Sequence, residues 1–87
     1  MLNNNILDEI NDLKNDASLR SALRIYTILE NNKQFFIKNL DEDFFNLVFK
    51  NFEELAYSHS GKYNSPEFKE NYSRNYQMLA YRLDKLL

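Results

Sequence analysis

The apolar residues of this chain recur at helical spacing along most of its length. The most regular series advances in steps of 4, 4, 3, 4 and 3 and consists of Phe68, Tyr72, Tyr76, Leu79, Leu83 and Leu86. Such steps place side chains on one face of an α-helix. Ser65, Pro66 and Glu67 supply a capping hydroxyl, a proline for the first helical position and an acid in the first turn. We therefore predict a helix over about residues 65–87.

Three earlier stretches share this periodicity and are predicted as helices over about residues 3–14, 17–31 and 41–58. The asparagines that open the chain can cap the first helix, and Asp16 is the predicted cap of the second. Asn31-Asn32 is expected to end the second helix, because asparagine tolerates the left-handed conformation better than most residues. Asn39 or Asp41 is expected to begin the third long helix, and Gly61 can take a positive φ after it.

The segment 33–40 fits no clean period, since Phe35, Phe36 and Ile37 are consecutive. The chain offers no partner strand for it, so we predict one short helical turn near 33–38. The sequence therefore predicts an all-α fold, a compact bundle of four helices forming a single helical domain over 1–87. The predicted core consists of Phe44, Phe45, Val48, Phe49, Phe52, Leu55, Tyr72, Tyr76, Leu79 and Leu83.

Composition excludes several classes of protein. The 87 residues include no Cys, which rules out a disulfide scaffold, a thiol nucleophile and a cysteine zinc site. A single Gly and a single Pro argue against a phosphate-binding glycine loop and a many-turned β-sandwich. No apolar run is long enough to span a membrane, and no targeting signal is visible, so we expect a cytoplasmic protein.

The net charge of −2 conceals a gradient along the chain. Residues 1–31 and 32–60 each carry three basic and five acidic side chains, whereas 61–87 carry five basic and three acidic ones. Nucleic-acid-binding domains are usually strongly basic, because their affinity comes mostly from neutralised phosphates. The balance argues against nucleic acid as a partner and leaves the C-terminal third as the exception.

Candidate catalytic groups are few and have structural explanations. His59 lies between two serines after a long helix, where an imidazolium complements the helix dipole. The acids Asp41, Glu42 and Asp43 are typical of a helix start and lack the spacing of a calcium loop. We therefore expect no enzyme, no cofactor and no metal site.

One surface remains as a candidate binding site, which we call the C-terminal patch. It comprises Arg74, Met78, Tyr81, Arg82 and Lys85. On a helical wheel Tyr81 falls roughly 160–200° from most of the apolar stripe of the last helix. Tyrosine, methionine and arginine are enriched at protein interfaces. Leu47 and Tyr57 likewise stand off the apolar arc of the third long helix.

Two other interpretations of the C-terminal patch are open. Met78 and Tyr81 can be singly exposed apolar residues, which are common on protein surfaces. Tyr63, Tyr72, Tyr76 and Tyr81, which lie among the basic residues of the C-terminal third, can also be platforms on which bases stack.

The sequence favours a non-enzymatic protein-binding module, that is, an inhibitor, adaptor or regulatory protein. Its wide apolar arcs in so short a chain also favour a homodimer. The alternative is a small DNA- or RNA-binding regulator that uses its basic C-terminal helix.

Overall fold

The computed structural model describes residues 4–58 and 65–85, and these form an all-α fold, as the periodicity predicts. Its helices are α1 (Asn4–Asp12), α2 (Leu19–Asn31), α3 (Lys33–Leu40), α4 (Glu42–Glu53) and α5 (Pro66–Asp84). A π-helical turn, Glu54–Ser58, continues α4. None of the described helices combines the length and the apolar character that crossing a membrane requires.

The segment predicted as a short turn near 33–38 is a complete helix, α3, which extends through Leu40. Phe36 and Leu40 of this helix are buried in the core. Its apolar residues fit no clean period because Phe35 and Ile37, on either side of Phe36, are partly buried and also pack against the core. Residues 4–58 and 65–85 therefore contain five α-helices, where the sequence predicted four helices and a short helical turn.

The predicted cap of the second helix is wrong by two residues. Ser18, not Asp16, is the N-cap of α2, and its hydroxyl accepts a hydrogen bond from the backbone N–H of Ser21. Asp16 contributes differently, since its carboxylate accepts the hydroxyl hydrogen of the buried Ser21 at 2.7 Å. The Ser21 oxygen also accepts the Ser18 hydroxyl at 3.2 Å, so this buried hydroxyl has a partner both as donor and as acceptor.

A positive φ occurs at Asp41 and not at Asn31-Asn32, whereas the positive φ predicted for Gly61 lies outside the described residues. Asn32 connects α2 to α3 with a φ of −126°, so it needs no left-handed conformation. Asp41 is the single residue between α3 and α4, and it takes a φ of 87°. Its side chain accepts a hydrogen bond from the N–H of Phe44 at 3.3 Å, which confirms Asp41 as the start of α4.

Helix α4 lies at the centre of the core and packs against α2, α3 and α5. Phe45 and Phe52, on its buried side, are almost completely inaccessible. The Phe45 ring stacks on Phe36 of α3, and the Phe52 ring meets Tyr72 of α5 edge to face, with centroids 6.1 Å apart. The predicted core residues are buried except for Phe44 and Phe49, which are partly buried.

Helix α1 is attached to the bundle largely through long side chains. Ile6 and Ile10 are buried, and two tyrosines of α5 reach its C-terminal end. The Tyr76 hydroxyl donates to the carbonyl of Ile10 at 2.7 Å, and the Tyr72 hydroxyl donates to the carbonyl of Leu13 at 2.8 Å. Each carbonyl also accepts a hydrogen bond from the backbone N–H three residues later, so the tyrosine hydroxyls add a second bond and attach the end of α1 to α5.

Tyr76→Phe should lower the free energy of unfolding by about 1 kcal/mol, because it removes a buried hydrogen bond and leaves the ring in place. Tyr72→Phe should have a similar effect. Urea denaturation measures both changes. Tyr81→Phe is the matched control, since its hydroxyl belongs to a ring that is 59% exposed. Equal stability of all three variants would contradict the role assigned to the buried hydroxyls.

Candidate protein-binding surface

Helix α5 presents the C-terminal patch on its side away from the core, but the five residues do not form one uniform surface. Tyr81 is 59% exposed, as expected from the helical wheel. Met78 is partly buried and packs against the core, which corrects the prediction that it lies off the apolar seam. Arg74, Arg82 and Lys85 are exposed, and each has a contact within the chain.

Arg82 points from α5 toward the junction of α3 and α4. Its guanidinium carbon lies 4.2 Å from the centroid of the Phe44 ring, and its Nη1 donates to the carbonyl of Leu40 at 3.3 Å. A cation over an aromatic face is attracted by the ring quadrupole. Arg82 therefore helps to hold three helices together, a role that its position at the edge of the patch did not reveal.

The other two cations contact residues on their own helix. The Arg74 guanidinium pairs with the Glu70 carboxylate at 2.9 Å, and both side chains are largely exposed. Lys85 lies with its Nζ 4.4 Å from the centroid of the Tyr81 ring. Exposed pairs within one helix contribute little to stability, so a partner can displace these contacts at small cost.

A cleft of about 300 Å³ runs along the contact between α4 and α5, and we call it the α4–α5 cleft. Leu47 and Glu54 line it from α4 and the π-helical turn, and Arg74 and Met78 line it from α5. Leu47 is 49% exposed although it is a large apolar residue. Leu47 and Met78 thus share one concave surface with the buried Leu55, and the charged side chains of the lining lie beside them.

A hydrogen bond between side chains forms part of the lining of the α4–α5 cleft. Asn51 donates its amide to the carbonyl oxygen of Asn75 at 2.7 Å, and the Asn75 amide donates to the backbone carbonyl of Asn71. Asn75 is 8% exposed, so these partners satisfy a nearly buried polar group. The bond fixes the spacing of α4 and α5 where the cleft lies.

Sequence reasoning identified Leu47 and Met78 separately but could not pair them. The helical wheel places Leu47 off the apolar arc of α4 and predicts Met78 off the stripe of α5, so each is a candidate on its own helix. Their common cleft depends on how α4 and α5 pack. Because the packing of α4 against α5 joins residues that are far apart in the sequence, no local sequence pattern reveals it.

A cluster of aromatic rings lies on the flank of α4 opposite the α4–α5 cleft. The Tyr26 ring of α2 stacks on Phe49 at a centroid distance of 4.9 Å and meets Tyr57 edge to face. Its hydroxyl lies 3.4 Å from the carboxylates of both Glu30 and Glu53. Desolvation and these two carboxylates raise the pKa of Tyr26. Tyr57, 64% exposed, covers the edge of this cluster.

The candidate catalytic groups are placed as follows. Asp41 caps α4, and Glu42 and Asp43 are exposed in its first turn, where negative charge suits the helix dipole. His59 and Tyr63 lie outside the described residues. Burial raises the pKa values of Tyr72 and Tyr76, so both hydroxyls stay protonated and act as hydrogen-bond donors near neutral pH. Within 4–58 and 65–85, no group of acidic or histidine side chains is arranged to hold a metal ion.

The Arg82–Phe44 contact should contribute measurably to stability. A double-mutant cycle with Arg82→Ala and Phe44→Leu should give a coupling of about 0.5–1 kcal/mol, the range for a cation–π contact in which the cation stays exposed to water. Urea denaturation supplies the four free energies. Lys85→Ala should change stability by less than about 0.5 kcal/mol, since it removes a contact within one helix. Additive effects of the Arg82 and Phe44 substitutions would contradict the interaction.

Comparison with known proteins finds no matching family model, no matching curated protein and no matching solved structure.

Proposed function

We propose that this protein is a non-enzymatic protein-binding module that recognises its partner through the α4–α5 cleft and the exposed side of α5. The observation that carries the proposal is the pairing of Leu47 and Met78 in one cleft. Singly exposed apolar residues need no explanation, but two that share a concave surface form a preformed contact site. An inhibitor, an adaptor or a regulatory subunit would use such a site.

The chemistry of the cleft specifies the kind of partner surface that fits. Leu47 and Met78 would receive an apolar side chain, and methionine adapts easily to the shape of what it contacts. Arg74 and Lys85 would favour acidic groups beside that side chain, in keeping with the basic C-terminal third. Tyr81 lies outside the cleft, against Lys85 at the exposed side of α5, and supplies a large ring of the type that often dominates binding energy. The cytoplasmic location expected from the sequence stays a prediction.

Met78→Ser combined with Tyr81→Asp should reduce recovery of the partner at least tenfold when the tagged protein is used as bait in a lysate of its native host. The reason is that the double variant removes both apolar contacts on α5 and adds a negative charge. Quantitative mass spectrometry of the bound proteins measures the loss. Circular dichroism establishes that the variant is folded.

The matched control is Tyr57→Ser, because Tyr57 is the other strongly exposed tyrosine within 4–58 and 65–85 and lies on the opposite flank of α4. It should recover the same partner as the original protein. Recovery unchanged by the α5 double variant, or lost equally with Tyr57→Ser, would contradict the proposed surface.

Binding of nucleic acid is the competing proposal, and the contacts of the cations support it less. Arg82 is engaged with Phe44, Arg74 with Glu70 and Lys85 with Tyr81. Binding to phosphates would have to displace these contacts, and only a few basic side chains would be available to neutralise the phosphates.

Filter binding to mixed DNA and RNA oligonucleotides should therefore show no retention even at low salt. Phosphate contacts would reveal themselves by steep salt dependence, so the test compares low and moderate salt. Salt-sensitive retention that Arg74→Ala and Lys85→Ala abolish would overturn the protein-binding proposal in favour of nucleic acid.

A further inference from the structure

A second cleft lies between α1 and α2, and we call it the α1–α2 cleft. Its volume is about 660 Å³, against about 300 Å³ for the α4–α5 cleft. The lining residues are Glu9, Asp12, Leu13, Leu19, Arg20, Leu23, Arg24 and Thr27. An ion pair between Glu9 and Arg24 spans it, with the Arg24 Nε 2.7 Å from the Glu9 carboxylate. The tyrosine hydroxyls that hold α1 come from α5, which leaves this flank of α1 open.

The apolar part of the cleft is the edge of an arc on α2 that the core does not cover. Ala22, Ile25 and Leu29, in the middle of that arc, are completely buried. Leu19 and Leu23 lie at its edge and stay partly exposed, and Leu19 lines the cleft without belonging to the core. Covering these two leucines would remove further apolar area from water, which favours association.

The two walls of the cleft carry opposite charges. Asp12 lies on the α1 wall and Arg20 on the α2 wall, and both are exposed. Glu9 and Arg24 are paired with each other, whereas Asp12 and Arg20 form no ion pair with any residue in 4–58 or 65–85. The cleft thus offers one acid and one base on opposite sides of an apolar strip.

This charge arrangement is self-complementary. In a twofold-symmetric dimer the same surface serves both copies, so each contact between residue i and residue j occurs twice. When two such clefts meet across a twofold axis that runs parallel to the apolar strip, the acidic wall of one copy faces the basic wall of the other. A surface with a single sign of charge would repel its own copy, and this surface does not.

We infer that a second copy of this chain occupies the α1–α2 cleft, with Asp12 of each copy paired to Arg20 of the other. Leu19 and Leu23 of the two copies then cover one another at the axis. This dimer leaves the α4–α5 cleft open, so it goes beyond the proposed function and does not depend on it. Self-association and partner binding then use separate surfaces.

Charge reversal tests the pairing directly. Sedimentation equilibrium from about 10 µM to about 1 mM should show a dimer for the original protein. Arg20→Glu and Asp12→Arg should each weaken it at least tenfold, because each places like charges together at two sites. An equimolar mixture of the two variants should dimerise again, since the reversed charges now attract. The double variant should also dimerise.

Neither substitution should impair folding, because each suits the helix dipole. Arg20 lies in the first turn of α2, where an acid is favoured, and Asp12 is the last residue of α1, where a base is favoured. Lys38→Glu, an exposed charge reversal on α3, is the control and should leave the dimer intact. The Met78→Ser, Tyr81→Asp variant should dimerise normally while losing its partner.

Several results would overturn the inference. A monomer at every concentration would exclude the dimer and leave the proposed function untouched. Dimerisation unaffected by either single reversal would place the contact on another surface. Loss of the dimer in the Met78→Ser, Tyr81→Asp variant would place it on α5, and failure of the mixed variants to associate would exclude the reciprocal pair.

Discussion

The packing of aromatic rings around α4 is the interaction on which the rest of the structure depends. Phe45 connects α4 to α3 through Phe36, and Phe52 connects it to α5 through Tyr72. Large rings let a chain of this size bury enough apolar area to form a stable core. Because these contacts hold α4 in the middle, one flank of α4 forms the α4–α5 cleft and the other packs against α2.

A core built in this way covers only the middle of each apolar arc, and the uncovered edges form the surfaces proposed to bind other proteins. On α2 the buried centre includes Ile25, while Leu19 at the edge faces the α1–α2 cleft. On α5 the centre includes Leu79, while Met78 at the edge faces the α4–α5 cleft together with Leu47. Both proposals therefore have the same physical basis: the apolar arc of the helix is wider than the part that the core covers. The apolar side chains at the edges of these arcs are not buried in the core and are therefore available to contact other proteins.

The local sequence predicted the helical class and the buried sides of α4 and α5, because periodicity reports which side of a helix is buried. The predicted core omitted the buried residues of α1, α2 and α3, among them Ile10 and Ile25. The local sequence failed where a longer-range relation decides. The short α3 shows no period because Phe35 and Ile37, on either side of the buried Phe36, also pack against the core. Arg82 contacts Phe44 and Leu40 only because α5 packs beside the junction of α3 and α4. The pairing of Leu47 with Met78 has the same origin, since each residue was visible from its own helix and neither indicates the other.

Hydroxyl-radical footprinting tests the division between buried centres and exposed edges most directly, because it reports how accessible each side chain is. The account predicts that Tyr57 and Tyr81 are modified many times faster than Tyr72, whose ring is buried against Phe52. Similar modification rates for Tyr72 and Tyr81 would contradict it, since the apolar arc of α5 would then not be buried at its centre and open at its edge.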